Sequence, residues 1–307
     1  MDFTLLNTLG TITWTVDPVA FSIGSLSVRW YGILLATGFF LSYFTLSKIF
    51  KKEHISQTLL DKFFIWTVIW TIVGLRLAHF IFYEPEYFKT SPWIILLPFD
   101  ENWHFTGFQG LASHGAVIAI ITFVCYFAWK HKINLFWLID RSAIAIPIAA
   151  GLVRLGNLMN HEIVGSITTV PWAFNFTLGD PIRDAQGYII EQVAGTFRHP
   201  AQIYESIVYL LLFLGLVLYY FKYSKSKLPP GLTTGILLFV IFTARFIIEF
   251  FKAVQVPDEL EMMLDIGQKL SIPFILIGLG LITYSIINRK KCPTYVEPVS
   301  QPAEEKK

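Results

Sequence analysis

The feature that most limits what this chain can fold into is its set of seven apolar blocks. They run roughly over residues 30–50, 62–83, 112–130, 135–157, 201–222, 232–252 and 270–289. About 20 such residues cross a hydrocarbon core of about 30 Å as a helix rising 1.5 Å per residue. Lipid offers no partner to backbone N–H and C=O groups, so the helix is the form expected for each block. The fold class expected is therefore all-α, a polytopic membrane protein with seven transmembrane helices. Only 15% of the residues are charged, against about 25% in soluble domains, too few to cover a water-facing surface. A disordered chain and an ordinary soluble enzyme are both excluded. The net charge is +2, and no basic tract mixed with aromatics suggests a nucleic-acid partner. Cys125 and Cys292 have neither metal nor redox spacing and read as two unpaired thiols. The first twenty residues lack a basic stretch and carry Asp2 and Asp17, so no cleavable signal peptide is expected.

Lysine and arginine orient the blocks. Lys48, Lys51 and Lys52 follow the first, Lys130 and Lys132 the third, Lys222, Lys225 and Lys227 the fifth, and Arg289, Lys290 and Lys291 the last. All these connections fall on one side. The opposite side is poorer in basic residues and has Glu84, Glu86, Asp100 and Glu101 in one loop and Asp258, Glu259, Glu261 and Asp265 in another. The N-terminus is expected outside and the C-terminus in the cytoplasm. Residues 158–200, rich in Gly and Pro among short apolar runs, predict a small, turn-rich, partly stranded cap on the outer face. The domain expected is residues 1–290 with that cap, followed by a disordered tail at 291–307.

Charge inside a span is costly and needs a partner or a task. With depth assigned by the alternating directions, Tyr31, Arg76, His79, His114, Arg154, Asn157, His199, Gln202, Glu205, Arg245 and Glu249 gather in the outer half. Asp140 and Arg141 stand apart near the cytoplasmic end and suggest a structural pair. Plain alternatives exist for each of the others. Arg245 and Glu249 are four apart and could simply pair on one helix face. Tyr31, beside Trp30, could be an interfacial aromatic. His199 before Pro200 resembles a helix start, where Gln202 could cap backbone groups. Arg76 could pair with a neighbouring span or a lipid phosphate.

The densest stretch is Gly151 to Gly165, reading GLVRLGNLMNHEIVG. If helical through its middle, it aligns Arg154, Asn157 and His161 on one face. An arginine backed by amides suits a phosphate, because the guanidinium stays ionised and its planar fork donates two hydrogen bonds. Arg245 could share the same anion. Two arginines, a histidine and carboxylates at headgroup depth favour chemistry on a phospholipid. A channel or transporter would carry polar groups on through the midplane, usually with internal repeats, and none is seen. A different lipid-dependent membrane transferase, or a non-catalytic lipid-binding protein, would share this lipid site.

Six elements occur in order. They are Arg29 to Gly32 (RWYG), Ser113 to Gly115 (SHG), Arg154 to Asn160 (RLGNLMN) with Glu162 and Gly165, His199 to Glu205 (HPAQIYE), Arg245 to Glu249 (RFIIE) and Gly267 to Pro273 (GQKLSIP). Together, over about residues 15–290, they resemble the bacterial prolipoprotein diacylglyceryl transferases. The resemblance implies an inner-membrane transferase that needs no cofactor. It would move the diacylglyceryl group of phosphatidylglycerol to the thiol of the lipobox cysteine in a prolipoprotein signal peptide, forming a thioether and releasing glycerol phosphate. The partners implied are thus membrane lipid and that peptide. His114, Arg245 and Glu249 match catalytic positions, and Arg154, Asn157, Tyr31 and Glu162 match positions that bind phosphatidylglycerol. Arg154 and Arg245 would hold the phosphate, His114 would take the thiol proton, and Glu249 would orient Arg245. Three positions depart from the pattern: Ala116 stands for a second glycine after His114, Val153 for a glycine before Arg154, and Ile241 for a tyrosine found in some members.

Overall fold

Helices dominate the computed structural model, which describes residues 12–24, 26–97, 99, 103–104, 112–183, 189–224, 227–253 and 263–293. They are α1 (Trp30–Lys52), α2 (Gln57–Phe82), the single turn α3 (Tyr87–Thr90), α4 (Ser113–Lys130), α5 (Leu135–Met159), α6 (Ala201–Leu218, continued by a π-turn to Tyr223), α7 (Leu232–Glu249) and α8 (Ile266–Ile287). Six of them, α1, α2, α5, α6, α7 and α8, are long and apolar enough to cross a membrane. The third expected block is α4, whose stretch Gly115–Lys130 is shorter than the others. Two helices, α2 and α8, begin before their apolar runs do. Helix α8 starts at Ile266 because Asp265 and Gln268 form a reciprocal capping box, with Asp265 Oδ1 accepting from Gln268 N at 2.8 Å and Asp265 N donating to Gln268 Oε1 at 3.2 Å.

The chain groups into two compact units, residues 1–46 with 140–292, and residues 47–139 with 293–307. In the second, α2 and α4 pack through Gly74 and Gly115. A Cβ on Gly115 would lie 2.1 Å from the Gly74 carbonyl oxygen, so only glycine permits this approach. Phe63, Phe123 and Phe127 pack on one another further along the same two helices. Arg76 is buried and donates to the carbonyls of Ile94 and Ile95, so it anchors the segment after α3.

In the first unit, Ser42 Oγ on α1 donates to the Ala145 carbonyl on α5 at 2.9 Å, and Ser206 Oγ on α6 donates to the Gly151 carbonyl at 3.0 Å. Small residues at these crossings let backbones approach where lipid gives no hydrophobic drive between helices. Asp140 has no exposed surface and caps α7 from α5. Its carboxylate accepts from Gly231 N at 2.7 Å, Thr234 N at 3.0 Å, and the hydroxyls of Thr233 and Thr234 at 3.0 and 2.9 Å. The structural role expected for Asp140 is therefore found, with the start of α7 as its partner. Neighbours in sequence on a helix do not face each other.

Short strands join this unit. β1 (Ile12–Trp14) runs parallel to β4 (Phe174–Phe176), and β7 (Phe197–Arg198) runs antiparallel on the other side of β4. β2 (Val19–Ile23) and β3 (Leu26–Arg29) form a hairpin that leads straight into α1, and β5 (Ile182–Arg183) pairs with β6 (Ile189–Glu191). Residues 158–200 are thus turn-rich and partly stranded, and the N-terminal β1 completes their sheet. Leu158, Val164, Phe174, Phe176 and Val193 make the small core beneath, with Trp14 against it. Arg198, fully buried, crosslinks the segment through Gly165 O at 3.0 Å, Gln192 O at 2.7 Å, Thr196 Oγ1 at 2.8 Å and the Glu191 carboxylate. The expected tail lies outside the described residues beyond Pro293.

Candidate active site

Helix α5 carries Arg154 one turn before its end, and the side chain is held on several edges at once. Its Nε lies 2.7 Å from Glu205 Oε2 on α6, a carboxylate with no exposed surface. Its Nη1 donates to Asn157 Oδ1 at 3.2 Å, one turn further along α5. The Tyr209 hydroxyl, one turn after Glu205, also accepts from the guanidinium. Asn157 passes the chain on, since its Nδ2 donates to Glu162 Oε1 at 3.0 Å, where Asn160 Nδ2 donates as well at 3.0 Å.

The other oxygen of Glu205 meets a residue the sequence reading did not single out. Lys252 Nζ lies 3.0 Å from Glu205 Oε1 and 3.0 Å from Glu249 Oε2, with 2% of its side chain exposed. The chain after α7 brings it there. Ser166 N donates to the Phe251 carbonyl and Ala253 N to the Val164 carbonyl, so the segment lies along residues 164–166. Glu249 in turn packs on the start of α8, where a Cβ on Gly267 would lie 2.8 Å from its carboxyl carbon. The result is a continuous line of charges, Arg154–Glu205–Lys252–Glu249, partly exposed at Arg154 and buried beyond it, drawn from α5, α6 and the end of α7.

Arg245 stands one turn before Glu249 on α7, in electrostatic reach of both Glu249 and Tyr209. Among the described residues the ion pair to Glu249 comes from Lys252 and not from Arg245. Lys252 thus sits between the two buried carboxylates, with Arg154 paired to one and Arg245 in electrostatic reach of the other. Glu162 is exposed at the rim. Tyr31, on the first turn of α1, lies against Gly156, where a Cβ would come 2.8 Å from Tyr31 Cδ2, and feels both Glu162 and Arg154 electrostatically.

Six of the seven expected site residues, Tyr31, Arg154, Asn157, Glu162, Arg245 and Glu249, therefore belong to one electrostatic neighbourhood. His114 opens α4 in the other unit, and its side chain lies outside the described residues. Other expected polar residues have separate partners. α5 ends at Met159, so His161 leaves the Arg154 face and bonds the Val16 carbonyl through Nε2 at 2.8 Å. Gln202 is not a cap; its Nε2 donates to the Glu162 carbonyl at 2.7 Å. Trp172 Nε1 donates to the Tyr204 hydroxyl at 2.8 Å, and that hydroxyl lies 3.1 Å from His199 Nδ1. An indole N–H only donates, so the tyrosine proton is free to go to the imidazole. Burial pushes His199 below the ordinary histidine value.

One guanidinium is thus fixed by a buried carboxylate, and a second stands in electrostatic reach of the same tyrosine, within a fold of long apolar helices. The family model for prolipoprotein diacylglyceryl transferase matches residues 18–284. The chain belongs to the prolipoprotein diacylglyceryl transferase family. It is 39% identical over 277 residues to the phosphatidylglycerol–prolipoprotein diacylglyceryl transferase of Bacteroides fragilis, covering 89% of this chain and 95% of that protein. The transferase of the same name from Chloroherpeton thalassium is 38% identical over 282 residues, 92% of this chain and 97% of that one. That of Tolumonas auensis is 38% identical over 273 residues, with 89% and 96% covered. The match spans every element that carries the Arg154 network, Lys252 included.

Proposed function

We propose that the protein transfers the diacylglyceryl group of phosphatidylglycerol to the lipobox cysteine thiol of prolipoproteins at the outer face of a bacterial inner membrane. The observation that carries the site assignment is the grip on Arg154. Glu205 fixes Nε, and Asn157 and Tyr209 take further edges, so a rigidly held guanidinium, with Arg245 in reach of the same tyrosine, is placed to meet a phosphate monoanion. Phosphatidylglycerol supplies such a phosphodiester.

In the step itself the sulfur attacks the glycerol carbon that bears the phosphate. A C–S bond forms and the C–O bond breaks. The electron pair goes to the departing phosphate oxygen, and glycerol phosphate leaves with a second negative charge. Arg154 and Arg245 stabilise that charge as it develops, which is the use of fixed donors in a water-poor site. Asn157, Tyr31 and Glu162 position the headgroup. The nucleophile must be a thiolate, from a thiol of ordinary pKa about 8.5. His114 is our candidate to accept its proton. Glu249 acts on Arg245 through the field it shares with Lys252.

For topology we propose seven crossings, with α4 as the short one, the N-terminus outside and the segment 158–200 as an extracytoplasmic cap. The lysine-rich connections support this orientation. The test is purified protein in phosphatidylglycerol vesicles with two peptides that differ only in Cys or Ser at the acceptor position. A mass gain of one diacylglyceryl group on the Cys peptide alone is expected. Equal modification of both, or of neither, overturns the assignment.

A further inference from the structure

Beside the Arg154 network lies a cleft of about 460 Å³ that the phosphate grip does not use. Every residue lining it lies outside the helices: Arg29 just before α1, residues 160–164 just after α5, residues 179–193 in the stranded segment, and Ala253 after α7. It therefore lies beyond the ends of α5 and α7. It touches the site through Glu162, whose Oε1 is bound by Asn157, the residue that also holds Arg154.

The lining says what fits. Glu162 and Asp180 outnumber Arg29, so the cleft repels a phosphate that the two arginines would attract. Its polar groups are mostly acceptors. Glu162 takes both amide donors on Oε1. Oδ1 of Asn160 and Nδ1 of His161 are buried without a hydrogen-bond partner among the described residues. Because His161 Nε2 meets the Val16 carbonyl, Nε2 carries the proton and Nδ1 in the neutral ring is an acceptor. Buried acceptors left unmatched are uncommon and call for a donor. Ile182 and Val193 give the cleft an apolar wall. The turn that presents Glu162 is strained on both sides, with His161 at φ +55° and the β-branched Ile163 at φ +58°. Such φ values cost about 1–3 kcal/mol each and concentrate at working sites.

We infer that this cleft receives the acceptor polypeptide, an extended stretch of uncharged or cationic chain next to its cysteine, with backbone N–H groups meeting the acceptors and small apolar side chains against Ile182 and Val193. Glu162 then joins two sites, one for the lipid anion and one for the thiol-bearing chain. The inference rests on the proposed transfer reaction and adds where the second substrate lies.

A charge exchange at Asp180, which is exposed and outside the phosphate grip, tests it. Protein in phosphatidylglycerol vesicles is assayed with cysteine peptides carrying Lys or Glu beside the acceptor. Serine versions with a fluorophore report binding without transfer. For Asp180→Lys, the Lys peptide should bind and react with a KM raised about tenfold and the Glu peptide should improve, the scale of placing like or opposite charges face to face. The KM for phosphatidylglycerol should stay within about twofold of its starting value. Ile182→Trp, which fills the cleft without changing charge, should raise KM for both peptides. Peptide preference unchanged in Asp180→Lys together with peptide KM unchanged in Ile182→Trp, or a shift in the lipid KM instead, overturns the inference. Wild-type protein that binds the peptides in this charge-dependent way yet transfers nothing would leave the cleft standing and overturn the reaction.

Discussion

Glu205 and Asp140 are both carboxylates without exposed surface, yet they are neutralised in opposite ways. Asp140 is closed: four neutral donors from the start of α7 surround it. Glu205 is open-ended: its partners are full charges, Arg154 and Lys252, and each cation reaches on to further groups. A buried carboxylate satisfied by backbone and hydroxyl donors fixes a helix end and asks for nothing more. A buried carboxylate satisfied by cations positions charge for something else. The contrast separates the end of the unit that holds the fold from the end proposed to do chemistry.

The most severe way to break the contrast is Arg154→Lys, which keeps the charge and removes the planar fork. Transfer should fall about 100-fold, the scale of losing one aimed donor at a developing oxyanion, while the amount of folded protein stays the same. An unchanged rate would mean that charge alone suffices. Glu205→Gln comes next. It leaves Arg154 and Lys252 facing a neutral amide, so transfer should fall at least about tenfold, and breaking a buried pair should cost about 3–5 kcal/mol in thermal or detergent unfolding. Asp140→Asn should do the reverse of Arg154→Lys. Stability should drop by about 1–3 kcal/mol as one carboxylate oxygen becomes an amide NH2 that faces donors at the start of α7, with activity per folded molecule retained. Loss of activity without loss of stability there would erase the distinction between the two ends.

Two smaller effects sharpen it. Lys252→Arg keeps a cation between Glu205 and Glu249, so transfer should stay within about threefold, whereas loss of the charge would leave Glu249 without its ion pair and Glu205 with Arg154 alone. His199 has its pKa held below the ordinary 6.5 by burial. The unfolded chain then takes up a proton more readily than the folded one. Its contribution is fully present above about pH 6.5 and is lost as pH falls through the lower folded value. Unfolding followed from pH 7.5 to 5 should show this decline, and His199→Gln should flatten it.

Much of the fold was legible because apolar runs of membrane length are a one-dimensional signal. The long helices follow directly from it, and only the polar first turns, as at Gln57 and Ile266, extend beyond it. Strands of two to five residues, such as β1 and β7, are too short for any alternation to register, and their pairing is decided by distant partners. At the site, Arg154 and Asn157 were legible from helical spacing, and Arg154's partner is indeed one of the polar residues noted in the fifth block. Its pairing with Glu205 was not legible, because it crosses 51 positions of sequence. Lys252 was missed because it sits where an apolar block ends and reads as a flanking charge. Its position three residues after Glu249 was the available signal. His161 was placed on the Arg154 face by assuming that the helix continued. α5 stops at Met159, and the backbone turns left-handed at His161.

In the proposed reaction Glu205 acts through Arg154 on the lipid phosphate. The most direct measurement is a double-mutant cycle on the transfer rate, with Arg154→Lys, Glu205→Gln and both together. If the two side chains are one device, the double variant should be little worse than Arg154→Lys alone. Losses that multiply across the two variants would mean that they act independently, and the account would be contradicted.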